Sequence, residues 1–294
     1  MQRRTFLQAT ATSALTAALA RPLLAIPNSH PYMSKIGLQV WTVRNQMAQS
    51  IPNTVKAIAD AGYYQAELGS VLDADPIIAA CKDNGLAVTS SFINWEAIAN
   101  PTRRGVPSID SIIEKAADLN LKHLVFGYIG KGQRETADHY KRHADNANAA
   151  AAKAKEAGIK MCYHNHSFEF AQLPTGEYGW DIFVDRFDNE LMPFEVDVFW
   201  VKIGGRDPID AINKLKGRIT QIHLKDLKAG TATETDEGRV ANDAFQELGN
   251  GNIDMLTVMS AASAAGAEQC HVEQDQSPDP IASINTSINY LRNA

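Results

Sequence analysis

From Lys35 onward the sequence alternates eight times between a short apolar run and a longer helical pattern. The apolar runs are "KIGLQVW" (35–41), "YYQAELG" (63–69), "LAVTSSF" (86–92), "KHLVFG" (122–127), "IKMCYHNH" (159–166), "MPFEVDVFW" (192–200), "ITQIHLKD" (219–226) and "EQCHVEQD" (268–275). Helical patterns follow over 52–62, 75–85, 108–120, 134–158, 180–189, 207–217, 252–266 and 279–291. Their punctuation agrees: Pro52 lies just inside a start, Gly62 just past an end, Ser108 is an N-cap candidate, and Asp207-Pro208 opens another helix. Strict strand-then-helix alternation predicts a parallel sheet covered by helices. Eight units in about 250 residues, with no linker between them, predict closure into a single-domain (β/α)8 barrel over 31–294. An open doubly wound sheet is the competitor, but no GxGxxG follows a strand.

Residues 1–30 stand outside this pattern. "MQRRTFLQATATSALTAALA" carries Arg3-Arg4, Phe6-Leu7 and a mild apolar run ending in small residues. That run is too short and too weakly apolar for a membrane span. The paired arginines predict a twin-arginine export signal with a short linker, and so a periplasmic or otherwise exported protein. The mature chain is expected to have no stable membrane association.

Composition excludes other classes. At net charge −6 the chain has no global basic field for nucleic acid. Its three cysteines form neither a disulfide framework nor a zinc-like spacing.

A barrel of this kind carries its chemistry at the C-terminal ends of its strands. The fifth run ends in His164 and His166, the sixth carries Glu195 and Asp197, the seventh His223 and Lys225, and the eighth Glu273 and Asp275. Alternation sends Val196, Val198, Ile222, Leu224 and Val272 to the helices, so these polar residues face inward. Four successive strands thus aim His164, Asp197, His223 and Glu273 at one patch. Two imidazoles and two carboxylates suit one divalent ion, such as Mn, Co, Zn, Fe or Mg. Glu195 and His271 lie deeper and read as structural. Gln39 and Trp41 end the first run and Trp200 the sixth; with Asn165 they are the substrate-binding candidates, the tryptophans by stacking on a sugar face.

The motifs "YHNHSFEF", "VDVFW", "HLKD" and "GNGNID" together resemble the xylose-isomerase-like barrel superfamily of sugar (phosphate) isomerases and epimerases. The resemblance runs from "GLQVWTVR" (37–44) to "VEQD" (272–275). It implies a metal held by Asp197, His223 and Glu273, with His164 where the family carries a glutamate on strand five. It also implies proton abstraction next to a carbonyl through an enediolate, on a small sugar or glycoside. In the isomerases and epimerases the glutamates of strands five and eight move protons; here Glu273 alone remains of that pair. His166, or Glu67 at the end of strand two, would supply the second acid/base group, and Lys225 would donate to a substrate oxygen. The "YHNH" version resembles lyases of 3-keto-glycosides and sugar dehydratases, so elimination stands beside isomerisation. A nuclease of the same fold is disfavoured by charge. A non-catalytic exported sugar binder stays open.

Overall fold

The computed structural model describes residues 30–294. The expected export signal therefore lies outside the described residues. Eight parallel strands close on themselves: β1 (Gly37–Gln39), β2 (Gln65–Leu68), β3 (Ala87–Phe92), β4 (His123–Phe126), β5 (Lys160–His164), β6 (Phe194–Asp197), β7 (Ile219–Leu224) and β8 (Gln269–Val272). β1 pairs with both β2 and β8, which completes the barrel. Closure leaves no open edge for a stray chain to pair with. Among the described residues no helix is long and apolar enough to cross a membrane.

The helices start and stop where local chemistry allows. The side chains of Ser50, Ser108, Thr136, Asp207, Asp254 and Asp279 each accept a backbone N–H of the helix they precede. The long helix Ala137–Glu156 buries Ala144, Ala147, Ala150, Ala151 and Ala154, small side chains that let it lie close to the barrel. The C-terminal helix is tied back by Arg292, which donates to the carbonyls of Ala61 and Gly62.

Two departures from the sequence reading bear on function. The sixth apolar run is not one strand: β6 ends at Asp197 and a helix, Val198–Ile203, follows at once. Asp197 causes the turn, because its Oδ1 accepts the N–H of Trp200 at 3.0 Å as an N-cap. Trp200 therefore sits in that helix and not at a strand end. The seventh run also stops early, at Leu224. Residues Asp226–Leu227 pair instead with Phe245–Gln246 in a small antiparallel ribbon above the barrel.

Apolar branched side chains commonly fill such barrels. Here the interior holds amides and carboxylates. Gln221 Nε2 donates to Glu195 (2.9 Å) and Ser90 (3.0 Å), Thr89 donates to Gln65 (2.9 Å), and Gln269 donates to Gln221. Buried carboxylates need such donors.

Candidate active site

A pocket of about 370 Å³ opens at the C-terminal mouth. Its floor is His164, His166, Lys225, Glu273 and Asp275; its walls include Gln39, Trp41, Phe92, Trp95, Tyr128 and Trp200.

The floor collects three of the expected ligands. Donor atoms of His164, Asp197 and His223 lie within 4.8 Å of one another. His164 Nε2 is 4.0 Å from Asp197 Oδ2, and His223 Nδ1 is 3.8 Å from the same oxygen. Two ligands about 2.1 Å from one ion lie roughly 3.0 to 4.2 Å apart, from a right angle to a straight line. Two imidazoles and a carboxylate at this spacing therefore fit a divalent first-row ion. Glu273 stands beside them, with Oε2 3.1 Å from His223 Nδ1.

Lys225 is the unexpected member. Its ammonium is 1% exposed and lies 2.8 Å from Glu273, 3.0 Å from Asp275 and 3.4 Å from Asp197. Three N–H groups meet three carboxylates, so the donor that the sequence reading offers to a substrate oxygen is already engaged. Burial opposes the charge on Lys225, but Asp197, Asp275 and Glu273 outweigh it and hold the ammonium protonated well above the usual range. Burial likewise favours neutral Glu273, yet Lys225 and His223 bring its carboxyl down to about 2. Asp275 goes the other way: burial lifts it to about 7 despite Lys225.

The histidines differ in charge. Burial, with His223, His166 and Lys225 nearby, keeps His164 well below the ordinary imidazole range and so neutral. His166 is pushed down to about 3, by burial first and then Lys225. For His223 burial also disfavours the charge, but Glu195, Glu67 and Glu273 win and raise it well above the ordinary value.

His166 lies just past β5, in a stacked column. Phe168 stacks on its ring (5.4 Å between centroids, 12°) and Trp200 packs against it at a tilt (5.1 Å, 31°). Arg134 caps the column, 3.6 Å above the Phe168 ring. Arg134 is held in turn by Glu237 at 2.6 and 2.8 Å, to which Tyr128 also donates. With Lys131–Asp236 these contacts tie the loop after β7 to the loop after β4. Glu169 locks the turn below, since both its oxygens accept the His166 N–H and one accepts the Tyr163 hydroxyl.

Two sequence candidates are placed differently by the structure. Asn165 does not line the pocket. It is fully buried and ties β5 to β6, donating to Asp197 O (3.2 Å) and accepting from Asp197 N (3.0 Å). Alternation explains this, because Asn165 lies between two inward histidines. Glu67 is also fully buried, below the pocket and 2.6 Å from His223 Nε2, so it has no access to substrate as an acid or base. Gln39 lines the pocket and orients Glu67 through a 2.9 Å hydrogen bond. Trp41 lines it from a 3-10 turn, Val40–Val43, and is half exposed. Trp95 and Tyr128 are wall residues that the sequence reading missed. Both follow runs already recognised, at the ends of β3 and β4, and the same inspection of strand ends would have found them.

Residues 55–294 match the family model described as a xylose isomerase-like TIM barrel. The inosose dehydratase of Geobacillus thermodenitrificans is 26% identical over 267 residues, 81% of this chain and 87% of that protein. An inosose dehydratase of Clostridium perfringens aligns at 27% over 52% of this chain and 56% of its own length. A solved sugar phosphate isomerase/epimerase from Parabacteroides distasonis superposes with TM-score 0.71 at 23% identity, over 88% of this chain and 98% of that one. The 3-keto-D-glucoside 4-epimerase of E. coli gives TM-score 0.63 at 18% identity, over 88% and 98%. At these identities the structural likeness is one of fold.

Proposed function

The chain belongs to the xylose isomerase-like TIM-barrel family, and on that premise we propose that it is a divalent-metal-dependent enzyme that removes a proton next to the carbonyl of an uncharged carbohydrate. One observation carries this reading. His164, Asp197 and His223 converge at ligand spacing at the base of an aromatic-walled pocket, Asp197 and His223 fully buried beneath it and His164, Glu273 and His166 lining it. His164, Asp197 and His223 would hold the ion, with Glu273 completing the set. A cation there supplies positive charge to a carbonyl oxygen that turns negative as the neighbouring C–H proton leaves.

The chain's own residues do the rest. His166 lines the pocket with a neutral imidazole and is placed to accept the proton, although burial and Lys225 make it a weak base until substrate changes its surroundings. Once protonated it has Glu273 as a favourable neighbour. Its ring is pinned by Phe168 and Trp200, which fixes the direction of transfer. Lys225, with His223, holds Glu273 ionised and opposes the burial that raises Asp197. The aromatic walls suit the apolar face of a sugar ring and exclude water from it.

Charge narrows the substrate. Among the described residues Lys225 is the only lysine or arginine lining the pocket, and three carboxylates already surround it. A phosphate dianion would meet Glu273 and Asp275 with no free basic partner. An unphosphorylated polyol ketone or keto-glycoside fits better.

Two outcomes share the first step. The carbon takes a proton back (isomerisation, epimerisation), or the β-carbon loses its hydroxyl or alkoxide, which leaves with a proton (dehydration, lysis). The alignment with an inosose dehydratase over most of both chains favours elimination. We place the enzyme outside the cytoplasm on Arg3-Arg4 and the leader that follows. Replacing both arginines by lysine should retain the protein inside fractionated cells. The activity test is incubation with inososes and keto-glycosides in D2O, with Mn²⁺, Co²⁺, Zn²⁺ or Mg²⁺ supplied in turn. Deuterium at the α-carbon or a new enone in NMR supports the reading. Tight binding with neither change would leave a sugar-binding barrel.

A further inference from the structure

Below the pocket floor lie two carboxylates to which the proposed chemistry gives no role. Glu67 on β2 and Glu195 on β6 are both fully buried. Glu67 faces His223, and Glu195 faces both His164 and His223, its Oε1 lying 3.4 Å from His223 Nε2. Glu67 Oε2 is 2.6 Å from His223 Nε2, and Glu195 Oε2 is 3.2 Å from His164 Nδ1. In both rings the other nitrogen is the one directed at Asp197.

We infer that Glu67 and Glu195 are positioning residues that each accept an imidazole N–H from below, so that His223 Nδ1 and His164 Nε2 are the nitrogens presented to the ion. This rests on the reading of His164 and His223 as ligands. An ionised carboxylate only accepts, so the nitrogen against it must carry the proton. A neutral imidazole has one lone pair, and the partner of its N–H decides which nitrogen offers it.

The carboxylates are themselves held in place. Glu67 accepts from Gln39 Nε2 (2.9 Å) and Ser90 Oγ (2.6 Å), and Glu195 accepts from Gln221 Nε2 (2.9 Å). These partners are fixed by strand pairing, since Gln39 and Ser90 lie opposite Glu67, and Gln221 opposite Glu195. His164 Nδ1 and Glu195 Oε2 lie 3.2 Å apart without full hydrogen-bond geometry and neither has any other partner; buried groups of this kind are rarely left alone, and a slight turn of the ring joins them.

The same layer admits a rival reading as a second ion site. Atoms of Glu67, Glu195, His223 and His271 lie within 4.8 Å, and His271 Nδ1 is 3.7 and 3.8 Å from the two carboxylates. The contact of 2.6 Å between Glu67 and His223 argues against it, being a hydrogen-bond distance and shorter than two ligands of one ion make. Both Glu67 oxygens also already accept hydrogen bonds.

The test is long-range 15N–1H correlation on 15N-histidine-labelled protein, first metal-free and then titrated with Zn²⁺. Wild type should show the His164 proton on Nδ1 without metal, and His223 retaining its Nε2 proton with Zn²⁺ bound. In Glu195→Ala the His164 proton should spread to Nε2, and Zn²⁺ affinity should fall about 10- to 100-fold. Glu195→Gln keeps an accepting oxygen and should rescue most of both. A His164 proton on Nε2 in the metal-free wild type overturns the inference, as does an unchanged tautomer in Glu195→Ala. Two Zn²⁺ per wild-type chain, one of them lost in Glu195→Ala, overturns it in favour of the second ion. If Glu195→Ala does not fold, the wild-type tautomer and Glu195→Gln still decide. Failure of wild type to bind any Zn²⁺ refutes the ligand reading separately, because the metal-free tautomer of His164 is measured regardless.

Discussion

Replacing Lys225 by methionine removes the one positive side chain shared by Asp197, Glu273 and Asp275 while keeping most of its bulk. At 2.8–3.4 Å each pair contributes attraction of about 5 kcal/mol at an effective dielectric near 20. The net cost of stranding a buried charge by deleting its partner is smaller, about 3–5 kcal/mol. For a domain of this size each kcal/mol moves Tm by roughly 2–4 °C, so the metal-free variant should melt about 10 °C or more below wild type. The loss should depend on pH. In the variant only His223 is left to oppose burial, which lifts the folded-state pKa of Asp197 and Glu273 relative to wild type. The folded variant then binds protons that the unfolded chain does not, so its stability falls as pH rises from about 4 towards those raised values. Wild type carries part of this term, because burial already raises Asp197 and lifts Asp275 to about 7, but its Lys225 and His223 hold Glu273 at about 2. Thermal unfolding followed by circular dichroism at several pH values, with chelator present, reads the difference. The gap should be narrow near pH 5 and widen towards pH 8. Equal melting temperatures, or a gap independent of pH, would refute the claim that Lys225 balances the charge of the floor.

Ion uptake should be linked to protons: the acidic groups around His223 keep it charged in the free site, so an ion at Nδ1 must displace one proton. Apparent Zn²⁺ affinity by calorimetry should rise about tenfold per pH unit between pH 6 and 8, and a flat profile would contradict it. Asp226→Ala removes the acceptor for the N–H groups of Leu227, Gly249, Gly251 and Ile253, all at 2.8–3.0 Å. It should cost about 3 kcal/mol in denaturant titration, with proteolysis appearing near 249–253. Trp95→Ala deletes a pocket wall and should raise KM for a sugar substrate about tenfold with kcat nearly unchanged, provided the ring serves binding alone.

Much of the floor was legible because β7 and β8 alternate cleanly. Ile222, Leu224 and Val272 mark the outward side, which leaves His223, Lys225, Glu273 and Asp275 facing the mouth. The same rule failed after Asp197. "VFWV" is apolar throughout and buried, so it has no period from which to tell strand from helix. Asn165 was misjudged for want of that same rule, since it lies one residue out of phase with its histidine neighbours. Depth was the other blind spot. Glu67 reads as a strand-end carboxylate, and only the stagger of closed strands shows that it meets His223 from beneath. That Lys225 faces three carboxylates at once is a property of three strands and their loops, and no single stretch of sequence contains it.

Lys225 and Asp226 are neighbours with opposite assignments. One completes the floor; the other grips the "GNGNID" turn. Asp226 does so through main-chain N–H groups, with Gly251 so close that a Cβ there would sit 2.2 Å from Asp226 Oδ1. A staple made to backbone does not read the side chains of the segment it closes. Residues 228–248, whose middle reaches Arg134 across the mouth, can therefore change in length and sequence between the staple and Glu237 while the floor stays fixed. Variation in residues 229–235 would then leave the Arg134–Glu237 clamp and the floor in place.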